Sequence, residues 1–352
     1  MDQAGKISLS IIAAGVVITG LFWFREILAP FALAVFLWLV MDAFARRLHE
    51  SIRFMPRWLA LPIAILLVLA GMVAVVMVIV DSAAQFAGNA SAYDARIAQA
   101  ISETYALLGL TDPPTLAQLF ERAGPGRFFA EVASALQSVI SNAVFVLIFV
   151  GFLFAAQAGF PQKLDALFPD AEGRMRAASV MESIRESIEK YLWVQTIVSV
   201  ITSVLSYATL KFIGLDNALF WSFVIFLLNY VPTIGSIVAT VLPTLFALVQ
   251  FESLWMVAAV FGGVGVWQFV IGNFLQPRMQ GESLNLSTLV VLLSLAIWGA
   301  IWGIAGMFLA APLTVMVMII LAQFPSTRPV AILLSGDGKP AEGVAIPPRP
   351  SM

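Results

Sequence analysis

Apolar residues along this chain come in long unbroken runs, not in the short periodic stripes of a soluble fold. Runs near 8–24, 27–41, 58–80 and 138–157 each approach the roughly 20 residues that a helix needs to cross a bilayer. After residue 190 the runs crowd together, at roughly 193–213, 218–231, 234–250 and 254–275, with very short connections. A last run, 286–323, can hold two spans, with Trp298-Gly299-Ala300-Ile301-Trp302-Gly303 as its turn. The segments flanking residue 232 are the short ones. Between them lies a polar, bent interruption, Asn229-Tyr230-Val231-Pro232-Thr233-Ile234-Gly235-Ser236. Irregular backbone at membrane depth is tolerated only where protein or a water-filled cavity surrounds it. Short segments interrupted by Gly or Pro are the sequence pointer to a transporter's solute site. The pattern predicts an all-α, polytopic helical membrane protein of about eight transmembrane helices, with a re-entrant or broken helical pair at 218–250. If both short segments cross fully, the count becomes about ten with the same topology.

The polar segments divide the chain. Residues 1–80 read as an N-terminal membrane hairpin, a basic loop with Arg46, Arg47, Arg53 and Arg57, and a third span. The first run is not a signal peptide, since Lys6 is its only leading charge and no small-residue cleavage site precedes Phe22-Trp23-Phe24-Arg25. Residues 81–136 are acidic and broken at Asp112-Pro113-Pro114 and Gly124-Pro125-Gly126, an extracytoplasmic helical excursion. A fourth span follows at 137–157. In 158–190, Val180, Ile184 and Ile188 recur every four residues, which predicts a cytoplasmic amphipathic helix leading directly into the next span. Residues 191–323 form the C-terminal transmembrane core. The tail 324–352, ending in Pro347-Pro348-Arg349-Pro350, is expected to be disordered. Lys/Arg density at 43–57 and 158–190 places those loops, and with them both termini, in the cytoplasm.

Composition narrows the chemistry. Hydrophobic residues make up 61% of the chain and charged ones 11%, with a mean hydropathy of +0.95. Soluble domains carry about 25% charged residues, so the lipid bilayer is the expected surrounding. The absence of cysteine excludes disulfides, thiolate metal sites and thiol nucleophiles. A net charge of -2 and the lack of a basic run argue against nucleic acid as a partner. His49 is the only histidine and falls in the basic loop. Glu26, Asp42, Asp81, Asp216 and Glu252 all fall at segment ends, as interfacial charges do, and leave no midspan proton relay. Gly262-Gly263-Val264-Gly265 sits inside an apolar run, where small residues let helices approach closely. No enzyme, catalytic residue, metal or cofactor is expected.

What remains is polar and uncharged. Gln195, Ser199, Ser203 and Ser206 follow 4-4-3 spacing and form one helix face, suited to helix packing or to lining a hydrated path. The interruption adds Asn229, Tyr230, Pro232 and Gly235. A second polar break, with Asn273, Gln276 and Pro277, ends the next span. Together these eleven residues are the candidate solute path.

At these residues the chain resembles the bacterial autoinducer-2 exporter (AI-2E) family. The likeness rests on Tyr191 to Gln195 with Gly214-Leu215, on Val231-Pro232-Thr233-Ile234-Gly235, on Asn273 and Pro277 with Gly281, and on Trp298-Gly299, Trp302-Gly303, Gly306 and Ala311-Pro312-Leu313. It is dense over 188–320; over 1–187 only the layout agrees. The resemblance implies a multi-pass transporter of the bacterial inner membrane, a quorum-sensing role, and a homo-oligomer, with a pentamer the form it points to. It implies a secondary exporter or facilitator of a small polar solute, such as a signalling molecule of the autoinducer-2 type. Family members usually carry Glu where this chain has Gln276, so a cation/proton antiporter is the alternative that loses a carboxylate here. A non-transporting membrane scaffold stays open as a third reading.

Overall fold

The computed structural model describes residues 3–51, 57–88, 143–157, 159–280 and 285–340, together with residues 99 and 102. The expected excursion therefore lies almost wholly outside the described residues, as do residues 341–352 of the tail. The described chain is all-α: α1 (Gln3–Trp23), α2 (Arg25–Ser51), α3 (Arg57–Gly88), α4 (Ala143–Gln157), α5 (Phe160–Leu167), α6 (Ala171–Ile213), α7 (Ala218–Leu228), α8 (Ile234–Gln250) and α9 (Leu254–Val270). A π-helical turn (Ile271–Leu275), α10 (Gln276–Gln280), α11 (Thr288–Ala322) and α12 (Arg328–Leu334) complete it. Among the described residues, 5 helices are long and apolar enough to cross a membrane, or up to 6 if the bent pair α4–α5 counts as one span. The helices group into two compact units, Met1–Leu61 with Asn142–Trp193 and Gln280–Met352, and Pro62–Ser141 with Val194–Met279.

In the first unit, α1 and α2 meet through Phe24 alone, and the helical-spacing bonds Phe24 N–H to Gly20 O and Leu28 N–H to Phe24 O cross the joint. The expected hairpin is therefore a bend, because one residue cannot reverse two helices. Phe149 and Phe154 of α4 meet Phe31 and Trp38 of α2 edge-on, at 5.4 and 6.3 Å. Phe36, Leu39, Ile188, Tyr191, Leu192 and Leu309 form a buried core with the first half of α6, which is where the stripe ending in Ile188 lands. Beside that core the charges at 42, 46, 185 and 189 close an alternating ring. Arg46 donates to Asp42 and Glu189, while Arg185 donates to Asp42 at 2.6 Å and to Glu189 at 2.8 Å. Asp42 is thus half of a clamp between helices, not a lone interfacial charge.

The 35 residues of α11 are two arms. Gly303 has φ 62° and ψ -139°, and Trp298 Nε1–H reaches Thr314 Oγ1 at 3.2 Å. In a straight helix those residues would be about 24 Å apart along the axis, so the chain folds back at the glycine, within the turn expected at 298–303. A Cβ on Gly306 would stand 1.9 Å from Trp298 O, so only glycine lets the arms meet this closely. The tail also departs from expectation. Arg328–Leu334 is helical, and Ala331 is buried against Met318 and Ala322 with Leu334 packed beside it, apolar surface that a disordered tail would leave in water.

In the second unit, α7 and α8 form the expected broken pair. Gln250 at the end of α8 donates Nε2–H to Gly214 O and accepts the Asp216 N–H at Oε1, both at 2.8 Å. These bonds tie the far end of α8 to the entrance of α7, so the pair doubles back with residues 229–233 at its tip. At 1.5 Å per residue, α7 rises about 16 Å, well short of the roughly 30 Å hydrocarbon layer. Ile225, Ala239, Ala247, Val260 and Val264 hold the pair against α6 and α9.

Candidate functional site

The tip of the α7–α8 pair exposes a backbone problem that side chains of other helices answer. The last carbonyls of any helix lack intrahelical partners, and Asn229 closes α7. Its main-chain oxygen accepts the Gln195 Nε2–H from α6. Gln195 in turn accepts at Oε1 from Gln276 Nε2–H, 3.2 Å away. Asn229 accepts at Oδ1 from Gln268 Nε2–H of α9, at 2.9 Å. Next to this chain, Tyr230 OH and Thr196 Oγ1 share a hydrogen bond of 2.7 Å. Gln195 is 2% exposed and Asn229 8%, so these amides exchange bonds out of water, where an unmade bond costs about 1–3 kcal/mol.

The chemistry orients the amides. A main-chain oxygen only accepts, so Gln195 must turn its NH2 toward Asn229 and its oxygen toward residue 276. Residue 276 must then donate, which an amide does and an ionised carboxylate cannot. Gln276 reaches that position through a change of helical register. Its own N–H bonds Ile271 O, five residues back, closing the π-helical turn Ile271–Leu275. Such turns are common at functional sites. The second break expected to end the span is this turn, and the helix continues through it to Met279.

Of the eleven path residues, Gln195, Asn229 and Gln276 are joined directly, and Tyr230 lies alongside. Gly235 is buried beneath the tip, where a Cβ would come within 1.8 Å of Leu228 O. Pro232 is partly buried in the turn. Ser203 Oγ–H donates to Ser222 O of α7 at 2.6 Å, a helix-packing bond. Ser199 and Ser206 are fully buried, with hydroxyls that have no partner among the described residues. Asn273 and Pro277 are exposed and apart from the cluster, the Asn273 side chain donating to Phe269 O of its own helix. Gln268 and Thr196 belong to the cluster and were not among the expected path residues. The available signal for Gln268 was its standing as an isolated amide between Trp267 and Phe269 in an apolar helix.

The model of the AI-2E family transporters matches residues 9–326. The chain belongs to the AI-2E transporter family. The match takes in the N-terminal half, where only layout carried the resemblance. A protein of Haemophilus influenzae is 30% identical over 340 residues, covering 94% of this chain and 95% of its own length. The AI-2 transport protein TqsA of Escherichia coli K12 is 29% identical over 328 residues, 92% of this chain and 94% of its own length. YhhT of the same bacterium is 27% identical over 344 residues, 96% and 97% of the two chains. This AI-2E family member thus presents its uncharged amide chain inside a fold whose apolar helices suit a membrane.

Proposed function

We propose that this AI-2E family transporter is a secondary exporter or facilitator of a small polar solute without net charge, such as a signalling molecule of the autoinducer-2 type. The observation that carries this reading is the amide chain Gln276–Gln195–Asn229–Gln268, which holds hydrogen-bonding groups at the hairpin tip without a carboxylate or a basic side chain. Amides exchange bonds with a hydroxylated solute at little cost, whereas a charged solute would be left without a counterion. The name of its relative TqsA, an AI-2 transport protein, agrees with that solute type. In this reading the protein sits in the bacterial inner membrane with both termini cytoplasmic, as a homo-oligomer, and carries out no covalent chemistry. A cation/proton antiporter is disfavoured by the amide at 276 and by the placement of Asp216 at the opposite end of the α7–α8 pair.

The test is flux in proteoliposomes loaded with autoinducer-2-type solutes, alongside metabolite levels in deletion and overexpression strains. Wild-type protein should release the solute, and Gln195→Ala should slow release at least tenfold while the protein still folds. Normal solute levels in the deletion strain, with no flux in liposomes, would reject the proposal. Unchanged flux in Asn229→Ala and Gln276→Ala, with disrupted complex formation, would support the scaffold reading instead.

A further inference from the structure

Between Gln157 and Phe160 the chain bends by 65°, and the short helix α5 leaves the line of α4. Pro161 in the first turn suits a helix start, and the 8 residues of α5 rise about 12 Å. At about 100° per residue, Phe160, Leu164, Leu167 and Phe168 share an arc of about 100°, while Gln162, Asp165 and Ala166 occupy the other side. This amphipathic helix has no buried residue: Leu167 is 72% exposed and Phe160 44%. An exposed stripe on α4 leads into it at four-residue spacing, from Val144, Ile148 and Phe152 to Phe160, Leu164 and Phe168. The opposite side of α4 sets Phe149 and Phe154 against α2 and buries Val146 and Val150, so the stripe is the side left to lipid. On the polar side of α5, Asp165 accepts from Arg174 Nη1–H of α6 at 3.3 Å. That pair draws the start of α6 toward the polar face and leaves the apolar face turned away from it.

We infer that α5 is an interfacial anchor, lying in the headgroup–acyl boundary of the leaflet reached by the end of α4, with phospholipid covering Phe160, Leu164, Leu167 and Phe168. From an α4 standing along the bilayer normal, the 65° bend sets α5 about 25° from the membrane plane, so α5 passes through only about 5 Å of depth. Helices of this kind bury their apolar face about 5–10 Å into that boundary. One face of α5 then rests on acyl chains while Asp165 and Arg174 stay in water. Lys163 flanks the apolar arc, where a long side chain reaches out to headgroup phosphate. The continuous run from the lipid-facing stripe of α4 makes lipid, and not a second copy of the chain, the occupant of the face. This anchor holds whether or not a solute is carried.

The test is the depth of a fluorophore on the full chain in phosphatidylcholine vesicles, and the absence of native cysteine lets one thiol be placed at a time. Leu167→Cys, Gln162→Cys and Ile148→Cys each carry an environment-sensitive dye; all three side chains are exposed, and gel filtration checks folding. At 167, lipid with a nitroxide near the headgroup should quench at least threefold more than lipid with one near the chain end. Aqueous iodide should quench the dye at 167 at least threefold less than the dye at 162. At 148, about 16 Å along α4 from Gly159, the order of the two nitroxide lipids should reverse. Phe160→Cys gives the same reading at a second apolar position if Leu167→Cys fails to fold. Equal iodide quenching at 162 and 167 would put α5 in water, and stronger chain-end quenching at 167 would make it a continuation of the span. Shielding of 167 from iodide and from both lipids would mean that protein covers it. Each of these three results would overturn the inference.

Discussion

Replacing Gly235 with alanine is the sharpest probe of the hairpin tip that the amide chain rests on. The new Cβ would stand 1.8 Å from Leu228 O, 2.8 Å from Leu228 C and 3.2 Å from the Val231 Cβ. A carbon and a carbonyl oxygen tolerate about 3.3 Å, so the ends of α7 and α8 must part by roughly 1.5 Å. Both near atoms are backbone, so no rotamer change relieves the contact. Parting breaks at least one of the two bonds that shape the turn, Gly235 N–H to Val231 O at 3.0 Å and Val231 N–H to Leu228 O at 2.9 Å. A lost backbone bond of about 1 kcal/mol and overpacking of 1–3 kcal/mol sum to a destabilisation of about 3 kcal/mol. Thermal unfolding in detergent, followed by tryptophan fluorescence, measures it. Gly262 in α9 supplies a control of opposite sign. Nothing lies within 4 Å of its Cβ position, so Gly262→Ala should be stabilising by about 0.5–1 kcal/mol, the usual gain at a helix interior. A Gly235→Ala protein as stable as wild type, beside a Gly262→Ala protein stabilised as expected, would refute the close approach of the two arms.

Three further outcomes are expected. Gly306→Ala should destabilise the α11 fold-back as Gly235→Ala does its own pair, since its Cβ would lie 1.9 Å from Trp298 O; the same melting assay reads it. In the ion ring, side chains range from 14% to 37% exposed. A double-mutant cycle with Asp42→Asn and Arg185→Gln should therefore give a coupling of about 1–2 kcal/mol, between exposed and buried pairs, and a coupling near zero would make the ring incidental. Gln276→Glu should make flux fall more steeply than in wild type as pH rises, because the protonated acid can donate to Gln195 Oε1 and the carboxylate cannot.

Long apolar runs, the broken pair at 218–250 and the turn near Gly303 were legible in the sequence, because each follows from local properties. Partition of apolar side chains and the backbone limits of glycine and proline act within a few residues. The amphipathic stripe through Ile184 and Ile188 was legible for the same reason, and α6 carries it unbroken into the span. Where local signals were ambiguous, expectation failed. A pair of runs separated only by Arg25-Glu26 reads equally as hairpin or bend, and helical hydrogen bonds decide for the bend. An apolar segment after Pro329 reads as tail until a surface is found to cover Ala331.

Sequence alone determined that this is a helical membrane protein with an uncharged polar interruption, and its family pattern pointed to transport. Only the tertiary structure decided which polar groups meet. Gln195, Asn229, Gln268 and Gln276 are scattered over 82 positions of the chain, counting 195 through 276. Asp42 and Arg185 are separated by 143. Whether such groups face one another depends on how each helix is rotated and packed, and a one-residue change of register, as at the π-helical turn before Gln276, turns a side chain by about 100°. Rotation of that kind is set by the sum of many contacts, which is why the same residues could be named in advance as candidates while their hydrogen bonds could not.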